Sequence, residues 1–172
     1  MGALGVISRI ERAAQSCLPV LLTLLLILLG AVPLNISGYD AVVPLWTLIA
    51  VYYWSIYRPE LLPAWAVFLL GLLQDLLGGG PVGLMALVLV LVRGICLSQR
   101  RVFVSKSFLV GWWGFAMVAL GAALLLWLVS CLFYFSLFRP APVLIELGLT
   151  IAVYPPLIWL FTRAEQRLLP PL

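Results

Sequence analysis

The chain has no histidine, and only 9% of its 172 residues are charged. The missing histidine removes the commonest general base and metal ligand. Only six carboxylates are present, Glu11, Asp40, Glu60, Asp75, Glu146 and Glu165. They form no acidic cluster of the kind a metal-dependent lipid-head transferase needs, and no Ser/Lys pair stands in a clean helical register. The three cysteines, Cys17, Cys96 and Cys131, share neither a CxxC nor a metal-ligand spacing, so they read as small hydrophobes. Gly78, Gly79 and Gly80 run into Pro81, with no Lys-Ser or Lys-Thr to grip a phosphate. No polar stripe recurs along the chain as a channel requires, and the apolar/polar alternation of a membrane barrel is absent. The expectation is no enzyme, no cofactor and no metal.

What remains is hydrocarbon. Hydrophobic residues make up 65% of the chain, in nearly uncharged runs over 18–32, 42–56, 63–77, 83–92, 108–135 and 143–161. Only helices and closed barrels satisfy their backbone in lipid, so the chain reads as an all-α integral membrane protein with short loops. The predicted layout is an N-terminal segment 1–17, one membrane domain 18–161 and a tail 162–172. Six helices are expected at about 18–36, 42–56, 61–77, 82–97, 108–135 and 143–161. The first follows Arg9 and Arg12 but offers no clear cleavage site, so an uncleaved first helix is expected.

The cations orient the bundle. With the N-terminus inside and six crossings, Arg9, Arg12, Arg58, Arg93, Arg100, Arg101, Lys106, Arg163 and Arg167 fall on the cytoplasmic side and Arg139 alone outside. This is a strong positive-inside bias, with both termini cytoplasmic. The net charge of +4 comes from single residues at helix ends that meet lipid headgroups, so no nucleic-acid partner is expected. Aromatics of the second helix (Trp46, Tyr52, Tyr53, Trp54) and of the fifth (Trp112, Trp113) fit interfacial belts, or else helix packing. The largest connector is expected inside, over 97–107. The third and fourth runs are short enough that a re-entrant hairpin competes with two full spans, which we favour. The run 108–135 is too long for the bilayer unless it tilts, bends or ends in an interfacial piece.

Two carboxylates fall within or beside the runs. Asp75 sits in the last turn of the third helix, where the dipole disfavours it. It is either a solvated turn carboxylate or a structural or partner-binding group. Arg139, Gln74 or backbone N–H groups of the glycine turn are its candidate partners, and Arg93 lies too deep. Gly78, Gly79 and Gly80 allow positive φ, and Pro81 suits a helix start. Glu146 lies one turn into the sixth helix, where a helix-start role, with pairing to Arg139, outweighs a proton relay.

The stretch Arg58-Pro59-Glu60-Leu61-Leu62-Pro63, followed by Gly71-Leu72-Leu73-Gln74-Asp75-Leu76-Leu77 and Gly80-Pro81-Val82-Gly83, resembles the MreD family of bacterial rod shape-determining proteins from Tyr57 to about Arg93. The resemblance implies a non-enzymatic inner-membrane subunit of the cell-elongation complex, regulating cell shape and lateral peptidoglycan synthesis. It would bind an MreC-type scaffold through intramembrane helix surfaces. Through that scaffold it would reach an MreB-type filament, a RodA-type glycosyltransferase and a class B penicillin-binding protein. The candidate partner-binding or structural residues are Arg58, Pro59, Gln74, Asp75, Gly78, Gly79, Gly80, Pro81, Gly83 and Arg93. The family is also similar, at the level of fold, to the substrate-binding membrane subunits of energy-coupling-factor transporters. The rival expectation is therefore a small-molecule-binding transporter subunit, whose polar-lined cavity Asp75 and Glu146 would supply.

Overall fold

A computed structural model describes residues 19–30, 44–104, 108–136 and 139–168. All regular structure among these residues is helical: α1 (Pro19–Gly30), α2 (Trp46–Tyr57), α3 (Ala64–Gly78), α4 (Leu84–Val104), α5 (Phe108–Phe133) and α6 (Ala141–Leu168). The expected polar turn at 35–40, Cys17 and the segment 1–17 lie outside the described residues.

The short α2 is the axis of the fold. It is apolar all round, and every residue from Thr47 to Ile56 is buried, as expected of a helix with no polar face. α4, α5 and α6 pack against it, and Leu26 and Ile27 of α1 join the same core. Tyr52, Tyr53 and Trp54 therefore form no interfacial belt. They are the centre of the bundle, because their rings find other rings there. Tyr52 meets Phe115 edge-on at 5.2 Å, Phe115 stacks on Tyr154 at 4.3 Å, and Tyr53 lies 5.3 Å from Phe161. Such pairs add about 0.5–1.5 kcal/mol each beyond burial. The Tyr52 hydroxyl donates to the Gly111 carbonyl at 3.0 Å. Trp113 is the exception, 67% exposed.

Three threonine hydroxyls in this apolar setting are satisfied within the helices, whereas Trp54 Nε1 and Ser55 Oγ are buried without a hydrogen-bond partner among the described residues. Thr23, Thr150 and Thr162 each donate to the carbonyl four residues back, at 2.6, 2.6 and 2.8 Å, which removes a bare hydroxyl from hydrocarbon. α6 runs through Pro155 and Pro156. Pro155 has no N–H to offer the carbonyl of Ile151, and the indole Nε1 of Trp112 on α5 donates there instead, at 3.2 Å. That bond is one reason a helix with two interior prolines stays in register with its neighbour.

Several boundaries differ from the sequence expectation. α4 continues to Val104, so most of the expected connector over 97–107 is helical. Its residues include no glycine or proline after Gly94, and Arg100 has a partner that rewards continued helix. At 21 residues α4 is about 31 Å long, whereas the 15 residues of α3 reach only about 22 Å. α5 ends at Phe133 in a tight turn, where Phe135 takes a positive φ of 49° and Ser136 N–H donates to Cys131 O. α6 extends beyond Phe161 to Leu168. α5 and the Ala141–Arg163 part of α6 are long and apolar enough to cross a membrane. The outer surface carries large apolar side chains such as Trp65, Met117 and Leu132, a surface suited to lipid and not to water.

Candidate functional site

The sequence-selected residues fall into two clusters at opposite ends of the α3–α4 pair. The first is built on Asp75. Its side chain is 8% exposed, so the solvated-turn alternative does not hold. Its carboxylate accepts from the backbone N–H groups that open α4: Gly83 at 2.9 Å, Met85 at 3.0 and 3.1 Å, and Ala86 at 3.4 Å. The first N–H groups of a helix have no partner within it, and the positive end of the helix dipole favours an anion. Asp75 thus caps a helix from the preceding one. Among the partners considered, backbone N–H groups at and beyond the glycine turn take it, and neither Gln74 nor Arg139 does.

The turn between the helices is shaped for this. Gly79 takes a left-handed φ of 68° and donates its N–H to the Asp75 carbonyl at 3.1 Å, ending α3 as glycine caps do. Gly83 has φ 96°, which presents its N–H to the carboxylate. Gly78 and Gly80 face open space and are not demanded by packing. Pro81 precedes the first turn of α4 and its carbonyl accepts from Leu84 N–H at 3.2 Å. Gln74 leaves its Oε1 buried without a hydrogen-bond partner.

One residue of this site was missed. A Cβ added to Gly71 would lie 2.5 Å from Ala86 Cα and 2.8 Å from Ala86 N. The two backbones therefore touch one turn below Asp75, and only glycine permits it. The signal was present in the sequence: Gly71 and Asp75 are four apart and share a helix face.

The second cluster is built on Arg93. Its Nε donates to the Leu62 carbonyl at 2.9 Å, and its Nη2 to the Pro59 carbonyl at 3.2 Å. Two turns on, Arg100 Nε donates to the Ile56 carbonyl at 2.8 Å. Cations at the C-terminus of α2 and along the α2–α3 connector meet carbonyls that no helix satisfies. Arg100 was not among the expected residues, although its seven-residue spacing from Arg93 marks one face. The Arg58 backbone N–H closes α2 on Trp54 O at 2.9 Å. Arg93 is thus brought together with Pro59, and Asp75 with Gly83, while α3 separates the two pairs.

The expected pairing of Glu146 with Arg139 does not occur: Arg139 is exposed, and among the described residues the Glu146 carboxylate has no ion-pair or hydrogen-bond partner. Of the small residues in α5, Ala119, Ala122 and Ala123 are buried in the core. Among the described residues no three His, Cys, Asp or Glu side chains are grouped to hold a metal ion.

The arrangement is mechanical. Asp75 fastens the start of α4 to the end of α3, and Arg93 and Arg100 fasten the body of α4 to the end of α2. A family model for the rod shape-determining protein MreD matches residues 11–164. No curated protein and no solved structure gives a significant match. With nearly the whole length matched and an all-helical apolar structure behind it, the chain belongs to the MreD family, membrane proteins of the rod shape-determining system.

Proposed function

We propose that the protein is a six-span, non-enzymatic subunit of the cell-elongation complex in the inner membrane, with both termini cytoplasmic. It binds an MreC-type scaffold, and through it an MreB-type filament, a RodA-type glycosyltransferase and a class B penicillin-binding protein, so supporting lateral peptidoglycan synthesis. The nine-to-one division of cations supports the orientation. The observation that carries the mechanism is the use made of the charged residues. Asp75, Arg93 and Arg100 all point their functional groups at backbone atoms of this chain. Polar chemistry is spent on holding α2, α3 and α4 in one shape, and that shape presents an apolar outer surface with the exposed glycines 78–80 at its end. Association in lipid rests on close packing and on helix ends, which a rigid surface supplies.

Gly80→Leu tests the reading cleanly. Open space surrounds Gly80 and its φ is not left-handed, so the fold tolerates the change while the turn gains bulk. Recovery of the scaffold with the purified variant is expected to fall while its melting temperature stays within about 1 °C of the parent, consistent with a surface change. Unchanged recovery at normal expression contradicts the reading. The rival, a small-molecule-binding subunit similar to those of energy-coupling-factor transporters, needs Asp75 and Glu146 turned into one polar-lined cavity; Asp75 is turned to the α4 backbone, and Glu146 alone lines a small cleft. A rise in melting temperature with one compound of a metabolite panel would favour that rival.

A further inference from the structure

Glu146 stands apart from the fastening residues. It lines a cleft of about 190 Å³ between α5, α6 and the start of α2, with Ser130 and Trp127 beside it and aliphatic side chains such as Leu45 and Val143 around them. Its backbone is held firmly: Thr150 Oγ1 donates to the Glu146 carbonyl at 2.6 Å and accepts from Leu45 N–H at 3.0 Å. The carboxylate itself has no partner among the described residues, and an unpaired carboxylate in a membrane-crossing helix is costly unless something complements it. We infer that this cleft receives the cationic head of a lysine or arginine side chain from a partner's membrane helix.

Charge complementarity names the group, and depth names its source. Glu146 lies five residues inside α6, which begins at Ala141, or about 7.5 Å below the helix start. With α6 entering the bilayer at its first turn, a lipid ammonium would have to sink beneath its own phosphate to reach that level. A side chain on a neighbouring helix reaches it naturally, because its stem runs through hydrocarbon and its head rises toward the interface. The cleft volume suits one such head and is far too small for a helix, so the partner helix lies against the outer edges of α5 and α6. The inference rests on the proposed scaffold partnership and adds the residue that reads the partner's charge.

The test is co-purification of the full chain with the scaffold, using Glu146→Gln, which keeps the volume and removes the charge, and Ser130→Leu, which fills the cleft from the opposite wall. Both variants are expected to elute as the parent does and to weaken scaffold binding by about thirtyfold, the lower end for removing one partner of a desolvated charge pair. Glu146→Lys is expected to regain it when one cation of the scaffold's membrane helix is changed to Glu. Full recovery by Glu146→Gln beside a parent that binds overturns the inference and leaves the partnership intact; so does the absence of any rescuing cation. A parent that fails to recover the scaffold overturns both.

Discussion

At the scale of single residues, Asp75 joins two helices by accepting from three backbone N–H groups at the start of α4. Removing its carboxylate orphans the opening N–H groups of α4, each worth about 1–3 kcal/mol when buried and unpaired. Asp75→Ala is therefore expected to destabilise the protein by about 2–4 kcal/mol, read as a lower melting temperature in detergent. Asp75→Asn retains one acceptor oxygen and should lose about half as much. Gly71→Ala should cost about 1–3 kcal/mol, because the new methyl displaces Ala86 and with it the N–H that Asp75 holds at 3.4 Å. A melting temperature unchanged in Gly71→Ala would contradict the close approach. That Asp75 mattered was legible in the sequence as a carboxylate beside three glycines in an apolar run. Its partners were less so, since the dipole of its own helix pointed to a penalty. The compensating dipole belongs to a helix that starts nine residues later, at Leu84, and only the turn geometry brings the two together.

At the scale of elements, the six apolar runs were visible because hydrocarbon tolerates so few charges, but their ends were not. The end of α4 was misread because Arg100 and Arg101 look like a loop when no partner is known. Once Arg100 finds the Ile56 carbonyl, a continued helix is favoured. The aromatic cluster of α2 was open to two readings for a similar reason: composition alone does not distinguish a ring at the headgroups from a ring in the core. The α5–α6 contact shows how one element compensates another. Pro155 deprives the Ile151 carbonyl of its helical donor, and Trp112 replaces it. Trp112→Phe keeps an aromatic side chain, though a smaller one, and removes the N–H, and should cost about 1–3 kcal/mol through the stranded carbonyl. Thermal melting equal to the parent's would show that the carbonyl finds another donor.

At the scale of the whole molecule, Asp75, Arg93 and Arg100 act on the bundle's own backbone, and its apolar surface is left to lipid and to partners. Family membership was legible from the motif between Tyr57 and Arg93, and the family model extends that match over residues 11–164. The division of labour between the motif's two ends was not legible, because it depends on the 22 Å that α3 places between them. The most direct measurement is cell aspect ratio during depletion of the protein from its own host. The account predicts that rods round up, that wild-type protein restores them, and that the folded Gly80→Leu variant does not. Cells that keep their rod shape as the protein disappears would contradict it.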